Sequence, residues 1–155
     1  MKIHLKALLL IAVAASGCSG SETSPSSTTT TTTTATLTNE VFTGTVAVPV
    51  DGIRQSSFNT FVVSSSGYGL TITLTSAVET LPGGTLLTTV TMGLGVGTVT
   101  DGVCTLVSGG FTTAQGGSSP QLSGSSAAAG TYCVQVSDVT NQLGPVAYAA
   151  AVAHY

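Results

Sequence analysis

The sequence predicts an all-β fold: about eight short strands packed as a two-sheet β-sandwich or jelly roll, after a signal peptide and a disordered linker. From residue 37 onwards, apolar and polar side chains alternate with a period of two, and no segment sustains the 3.6-residue spacing of an amphipathic helix. Turn signals built from Gly, Pro and Asp separate the alternating runs. Short strands at this spacing favour a sandwich or a jelly roll and leave the strand order open.

The first 17 residues have the order of a secretory signal. Lys2 and Lys6 precede an apolar run at residues 7–15, and small residues lead up to Cys18. As a helix, the run would rise about 14 Å against roughly 30 Å of hydrocarbon, which is too short for a transmembrane anchor. The tetrapeptide Ala15-Ser16-Gly17-Cys18 resembles the lipobox of bacterial lipoprotein precursors, with alanine where leucine is commonest.

This resemblance implies a lipid anchor on Cys18. In such lipoproteins the signal is cleaved before the cysteine, whose sulfur carries a diacylglycerol and whose amino group usually carries a further acyl chain. Several chains, at about 0.8 kcal/mol per buried methylene, hold a protein stably at a bilayer. The expected location is the cell envelope, outside the cytoplasm. Because Ser19 rather than aspartate follows, the outer membrane is favoured in a host with two membranes. The alternative is ordinary secretion, with Cys18 as a spare thiol or with cleavage elsewhere.

Residues 18–36 are predicted to be a disordered tether that begins at the lipidated cysteine. They are almost entirely Ser and Thr, including an unbroken run of threonine at residues 28–34. Without apolar side chains to bury, such a segment cannot offset the entropy lost on ordering. Residues 37–155 then form the folded domain.

The strands of this domain are placed by alternation. At residues 70–75 aliphatic side chains alternate with threonines, and at residues 146–154 larger residues alternate with alanines. The other strands are predicted at residues 40–48, 58–64, 86–94, 98–107, 121–125 and 131–136. Asp51-Gly52 and Asp101-Gly102 are expected to form tight turns, and Gly109-Gly110 is predicted to be a further turn.

The cysteine count predicts a disulfide. Of three cysteines, the lipobox accounts for one, which leaves Cys104 and Cys133 as an even pair in an exported domain. Closing a loop of about 30 residues contributes roughly 3–4 kcal/mol in the chain-entropy model. The alternatives are two buried free thiols or a metal site, although no histidine or further cysteine lies nearby in the sequence.

A second resemblance involves three strand-like runs: residues 70–74, the Gly-Thr-Tyr-Cys-Val-Gln-Val segment at 130–136, and Val146-Ala147-Tyr148. They resemble strands of the bacterial pre-peptidase C-terminal domain, over roughly residues 42–152. The resemblance implies a β-sandwich accessory module without catalytic residues of its own. Since no protease sequence precedes it here, a role in processing a fused enzyme is not expected.

The charge balance excludes nucleic acid as a partner. Charged residues make up 6% of the chain, and beyond residue 17 Arg54 is the one base against six carboxylates, a net of −5. Such a surface cannot neutralise a row of phosphates. No cofactor is predicted either, because the Gly-Leu-Gly-Val-Gly run at residues 93–97 lacks the spacing of a nucleotide-binding loop and is better explained by sheet packing or a bulge.

Candidates for chemistry are few. After Cys18, His154 is the one histidine; no Gly-x-Ser-x-Gly motif accompanies it, and we expect it at the rim of the sandwich rather than in a catalytic triad. Asp51, Asp101 and Asp138 are candidates for a calcium site, but Asp-Gly turns account for two of them. Tyr68 and Tyr155 are the two candidates for the free aromatic platforms that a glycan would need, but packing of the aromatic residues in or around the core is the favoured interpretation.

The predicted function is therefore that of a non-catalytic envelope lipoprotein whose domain acts as a binding, adhesion or structural module at the surface. Its expected partners are the membrane, through Cys18, and a glycan or an envelope protein. An open sheet edge with few charges would suit a partner strand. The alternatives are a small secreted hydrolase that uses His154 and an accessory subunit of an envelope protein assembly.

Overall fold

The structure is a computed structural model that describes residues 34–139 and 142–155. The predicted signal peptide (1–17), Cys18 and most of the predicted tether (18–36) lie outside the described residues. The described part contains nine strands: β1 (Thr38–Val46), β2 (Ser56–Val63), β3 (Tyr68–Thr80), β4 (Leu86–Leu87), β5 (Met92–Thr100), β6 (Val103–Ala114), β7 (Leu122–Ala127), β8 (Gly130–Asp138) and β9 (Val146–His154). This part of the chain has no helix long and apolar enough to cross a membrane.

The strands form two antiparallel sheets that pack face to face. Sheet 1 has the order β1-β9-β3, and the far edge of the long β3 pairs with β7 and, further along, with β4. Sheet 2 has the order β2-β8-β5-β6. This arrangement confirms the predicted all-β two-sheet sandwich.

The strand order is that of a jelly roll. Strand β5 pairs with β6, β3 with β7, β2 with β8 and β1 with β9. The chain is therefore one long hairpin whose arms pair from the tip outwards, and successive pairs belong alternately to sheet 2 and sheet 1. The two-residue β4 is an addition at the edge of sheet 1.

The core lies between the two sheets and follows the predicted alternation. Leu70, Ile72 and Leu74 of β3 are buried, and so are all the alternate residues of β9 from Val146 to His154. The other strands contribute the remaining large buried side chains, which are Val46, Phe61, Val63, Met92, Leu94, Val96, Val134 and Val136. The alanines of β9 between these positions point to the opposite face of sheet 1.

The two Asp-Gly pairs form the predicted tight turns. Asp101 and Gly102 have φ angles of 52° and 76°, and they join β5 to β6 directly. Asp51 and Gly52 have φ angles of 51° and 74°, between bridge partners Val50 and Ile53. Positive φ at both central residues is the requirement of a type I′ turn, whose twist matches that of the flanking strands.

Three local predictions are wrong. The strand predicted at residues 86–94 is divided, because β4 ends at Leu87 and β5 begins at Met92. The strand predicted at 98–107 runs across the Asp101-Gly102 turn, which assigns its halves to β5 and β6. Gly109-Gly110 is not a turn but part of β6. Apolar and polar residues continue to alternate on both sides of each of these sites. Periodicity alone therefore does not show where a strand ends or where it is bulged.

One side of the sandwich, where β1 and β2 meet, is closed by Tyr148. This residue lies on β9, and its hydroxyl donates to Ser57 Oγ at 3.0 Å and accepts from Asn59 Nδ2 at 3.1 Å, both on β2 of the other sheet. The ring also covers Gly44 of β1, where a Cβ would lie 2.6 Å from the hydroxyl oxygen. Glycine at position 44 thus leaves room for the phenol that links the sheets.

On the opposite side, where β6 and β7 face each other, both strands are bulged. In the β5–β6 ladder, Gly95 pairs with Phe111 and Gly97 with Leu106, so four residues of β6 (107–110) stand opposite the single Val96. In the β3–β7 ladder, Tyr68 pairs with Ala127 and Leu70 with Gly124, so two residues of β7 stand opposite Gly69. Bulges bend a strand and interrupt its pairing. As a result this side has a gap between the sheets.

Candidate functional site

The predicted cysteine pair lies at disulfide distance and links two strands of sheet 2. Cys104 is on β6 and Cys133 is on β8, and their Cα atoms are 5.9 Å apart although β5 runs between these strands. The sheet bends at the register shift between Gly95 and Gly97, and the carbonyl oxygen of Thr105 occupies the space that a Cβ of Gly97 would need. Glycine at position 97 therefore leaves room for the backbone of β6 to approach β5 closely beside the cysteine pair.

The Gly-Leu-Gly-Val-Gly run lies within β5, as the packing interpretation predicted. Leu94 and Val96 point into the core, whereas the glycines lie on the other face of the strand and are covered by neighbouring side chains. A Cβ on Gly93 would be 2.8 Å from Phe111 Cε2, and one on Gly95 would be 2.7 Å from Leu106 Cδ2.

Four residues form a row across the outer face of sheet 2. Phe58 pairs with Gln135, Gln135 with Gly95, and Gly95 with Phe111, so the row runs from β2 to β6. We call it the Phe58–Phe111 row. Phe58 is 36% exposed and Phe111 is 47% exposed. The Gln135 amide between them donates to Ser56 Oγ at 3.0 Å. The row thus combines two accessible rings with an amide and has no charged side chain among its members.

His154 lies at the end of a strand, as predicted, and its side chain is buried. It ends β9 but is only 2% exposed, its ring lies 5.3 Å from the ring of Phe61, and its Nε2 is 3.0 Å from Glu40 Oε1. Nδ1 is also buried and has no hydrogen-bond partner among the described residues. The ring is therefore buried, with Nε2 in contact with Glu40.

The two tyrosines named as candidate aromatic platforms contact each other. Tyr68 and Tyr155 stack with ring centroids 4.8 Å apart and an interplanar angle of 28°. Tyr68 remains 40% exposed. A stacked pair offers less free ring surface than two separate rings, so the Phe58–Phe111 row is the better aromatic candidate.

The carboxylates do not assemble a metal site. Asp51 lies in the turn before β2, and Asp101 lies in the turn between β5 and β6. Asp138 is buried at the end of β8. Within residues 34–139 and 142–155, no group of three or more His, Cys, Asp or Glu side chains could hold a metal ion.

A structural carboxylate that the sequence interpretation did not single out is Glu79. It is 5% exposed, and its Oε1 accepts hydrogen bonds from the backbone N–H groups of Leu143 at 2.6 Å and Gly144 at 2.9 Å. A buried carboxylate needs such donors. Glu79 therefore holds the segment before β9 against the end of β3. Alternation from Leu70 to Leu74 would place Glu79 on the outward side, but the register shift between Leu74 and Ser76 brings it to the core-facing side, so periodicity alone could not have identified it.

Phe111 was also missed, for a clear reason. The prediction ended a strand at residue 107 because Gly109-Gly110 has the composition of a turn, which left Phe111 unassigned. In the structure the glycines form the bulge of β6, and the strand continues to Ala114.

Comparisons with protein-family models, with curated proteins and with solved structures found no match.

Proposed function

We propose that this chain is a non-catalytic lipoprotein of the bacterial cell envelope, whose jelly-roll domain acts as a surface-displayed binding, adhesion or structural module. The observation that carries the proposal is the lipobox-like Ala15-Ser16-Gly17-Cys18 after an apolar run. A lipid on Cys18 would hold the chain at a membrane, and the Ser/Thr-rich residues 18–36 would let the domain extend outwards.

The geometry around His154 supports a non-catalytic role. A general base must reach the proton that it removes, whereas this imidazole is enclosed by Phe61 and Glu40. The hydrolase alternative would require the end of β9 to open.

The outer face of sheet 2 has the chemistry to bind an uncharged partner. Aromatic rings contribute to binding by stacking on flat apolar surfaces, and amides add directional hydrogen bonds. The Phe58–Phe111 row offers both, which suits a neutral glycan of the envelope or an uncharged patch on an envelope protein.

The anchor is tested by intact-mass measurement of the mature protein from membranes. We expect acyl groups on the wild-type chain and none on Cys18→Ser, which should also leave the membrane fraction. The double variant Cys104→Ala/Cys133→Ala is the control and should keep the lipid. A mature wild-type protein without acyl groups would overturn the anchor.

The binding role is tested by co-sedimentation with purified peptidoglycan and with a panel of neutral polysaccharides, and by co-purification from detergent-solubilised membranes. Phe58→Ala and Phe111→Ala should weaken the interaction at least about tenfold each, as expected for a central aromatic contact. Val41→Ala is the control, because Val41 is 68% exposed on sheet 1. Equal binding by all variants would contradict the role of the row.

The non-catalytic assignment is tested with a panel of ester, peptide and glycoside substrates. Turnover by the wild type that disappears in His154→Gln, with the thermal unfolding of the variant unchanged, would contradict it.

A further inference from the structure

The gap between β6 and β7 opens into a cavity of about 350 Å³. Core side chains from both sheets form its wall, among them Leu70, Ile72, Val96 and Leu122, and the bulged segments of β6 and β7 form its mouth. The lining residues found in the described chain are all uncharged. The half-open cavity thus lies against the core on this side, whereas the Tyr148 hydroxyl links the two sheets on the other.

Glycines shape the mouth. Gly109 has a φ of 74°, which other residues adopt only with strain. Gly110 lies so close to β5 that its Cβ would be 2.6 Å from the carbonyl oxygen of Val96. The four-residue bulge of β6 therefore requires glycine at positions 109 and 110. This requirement indicates that the bulge is a specific feature of the strand rather than irregular pairing.

A third glycine, Gly124, leaves part of the cavity unfilled because it has no side chain. Gly124 of β7 pairs with Leu70, whose side chain points into the core. Paired residues of a ladder point to the same face, so a side chain at position 124 would enter the gap. A Cβ built there meets no atom within 4 Å, and the backbone of Gly124 does not have the positive φ that excludes other residues. Space that a side chain could fill is therefore left open.

The cavity defines the class of ligand. Its volume lies at the lower end of the range for small-molecule sites, about 300–1,000 Å³. At roughly 30 Å³ per heavy atom it holds about a dozen such atoms. An apolar wall without charges favours hydrocarbon, and a mouth that opens to solvent lets a polar group at the end of the ligand remain hydrated.

We infer that this cavity is a binding site for a single alkyl chain of an amphiphile, about eight to ten carbons of which would be enclosed. The ligand class is a free amphiphile, such as a fatty acid or a fatty alcohol, and the site does not depend on the proposed lipid anchor.

The first test uses full-length Cys18→Ser, which cannot carry the lipid, and a series of 1-alkanols from hexanol to dodecanol. Affinity is measured by displacement of a fluorescent alkyl probe and by thermal stabilisation. It should rise about fourfold with each methylene until the cavity is full, near eight to ten carbons, and then level off. Affinity that does not depend on chain length, or no binding at all, would overturn the inference.

The second test fills the cavity. Gly124→Leu, made in the Cys18→Ser chain, should reduce decanol affinity at least tenfold while the protein stays folded. Gly69→Leu is the matched control: it is the same change on the neighbouring strand, where a Cβ meets only Gly124 O at 3.6 Å and points to the opposite face from Leu70. It should bind decanol normally. If Gly124→Leu binds as tightly as the control, the cavity is not the site.

Discussion

At the residue scale, two buried polar side chains hold parts of the domain together through their hydrogen bonds. The Tyr148 hydroxyl joins β9 to β2, and the Glu79 carboxylate holds two backbone N–H groups before β9. Because both groups are buried, losing a hydrogen-bond partner costs more free energy than forming the hydrogen bond gains. These residues therefore stabilise the domain through hydrogen bonds at specific positions. The domain has few charged residues that could form ion pairs instead.

Removing the hydroxyl of Tyr148 tests this point. Tyr148→Phe keeps the ring over Gly44 but leaves Ser57 and Asn59 without their shared partner. We expect a loss of about 1–3 kcal/mol in the free energy of unfolding, measured by urea denaturation. Tyr68→Phe is the control and should change stability by less than about 0.5 kcal/mol, because Tyr68 is partly exposed. Equal effects of the two changes would show that the inter-sheet bonds are not important.

The Cys104–Cys133 pair gives a second prediction at this scale. The cysteines are 29 residues apart in sequence, and opening a loop of that size should lower the free energy of unfolding by about 3–4 kcal/mol. The double variant Cys104→Ala/Cys133→Ala should therefore unfold at markedly lower denaturant concentration. Adding reductant should destabilise the wild type and leave the double variant unchanged. A variant as stable as the oxidised wild type would contradict the pairing.

At the scale of elements, the β5–β6 hairpin is the most strongly specified part of the chain. Its two-residue loop has positive φ at both Asp101 and Gly102. Asp is among the residues that tolerate this conformation, and Gly adopts it without cost. The sequence therefore determines the position of the turn and the register of the residue pairs next to it, from Thr100–Val103 to Gly97–Leu106.

Gly102→Ala should destabilise the domain by roughly 1 kcal/mol, because alanine at φ 76° is strained. Gly124→Ala is the matched control at a position with an ordinary φ and open space. It should be neutral or stabilise by about 0.4–1 kcal/mol, since it restricts the unfolded chain. Thermal unfolding measures both changes. Destabilisation of equal size at the two glycines would mean that the turn geometry does not account for the effect.

Elements that are set by local chemistry could be predicted from the sequence. The alternation of β3 and β9 and both Asp-Gly turns follow from neighbouring residues. What failed depends on distant contacts: Gly109-Gly110 forms a bulge only because Val96 of β5 lies against it. The burial of His154 depends likewise on Phe61 and Glu40, which come from two other strands. The Phe58–Phe111 row and the cavity arise from the strand order, which periodicity does not contain.

At the scale of the whole molecule, the nested pairing makes contacts progressively more distant in sequence. Thr100 pairs with Val103 at the hairpin tip, whereas Glu40 and His154 meet although they are 114 residues apart. The loop-closure entropy grows with the logarithm of loop length, which amounts to about 3 kcal/mol between a loop of a few residues and one of about a hundred. Pairing is therefore expected to start at the tip and to proceed outwards.

This order can be tested by folding kinetics. Leu94 of β5 and Val152 of β9 are both fully enclosed in the core, so Leu94→Ala and Val152→Ala should each cost about 2–5 kcal/mol. If the β5–β6 hairpin forms first, Leu94→Ala will mainly slow folding, with a φ-value of about 0.5 or more, whereas Val152→Ala will mainly speed unfolding, with a φ-value below about 0.3. Stopped-flow chevrons under oxidising conditions measure both, and Val46→Ala on β1 should behave like Val152→Ala because the two strands pair. A higher φ-value on β9 than on β5 would place the nucleus at the chain ends, where closure costs most, and would exclude pairing from the tip.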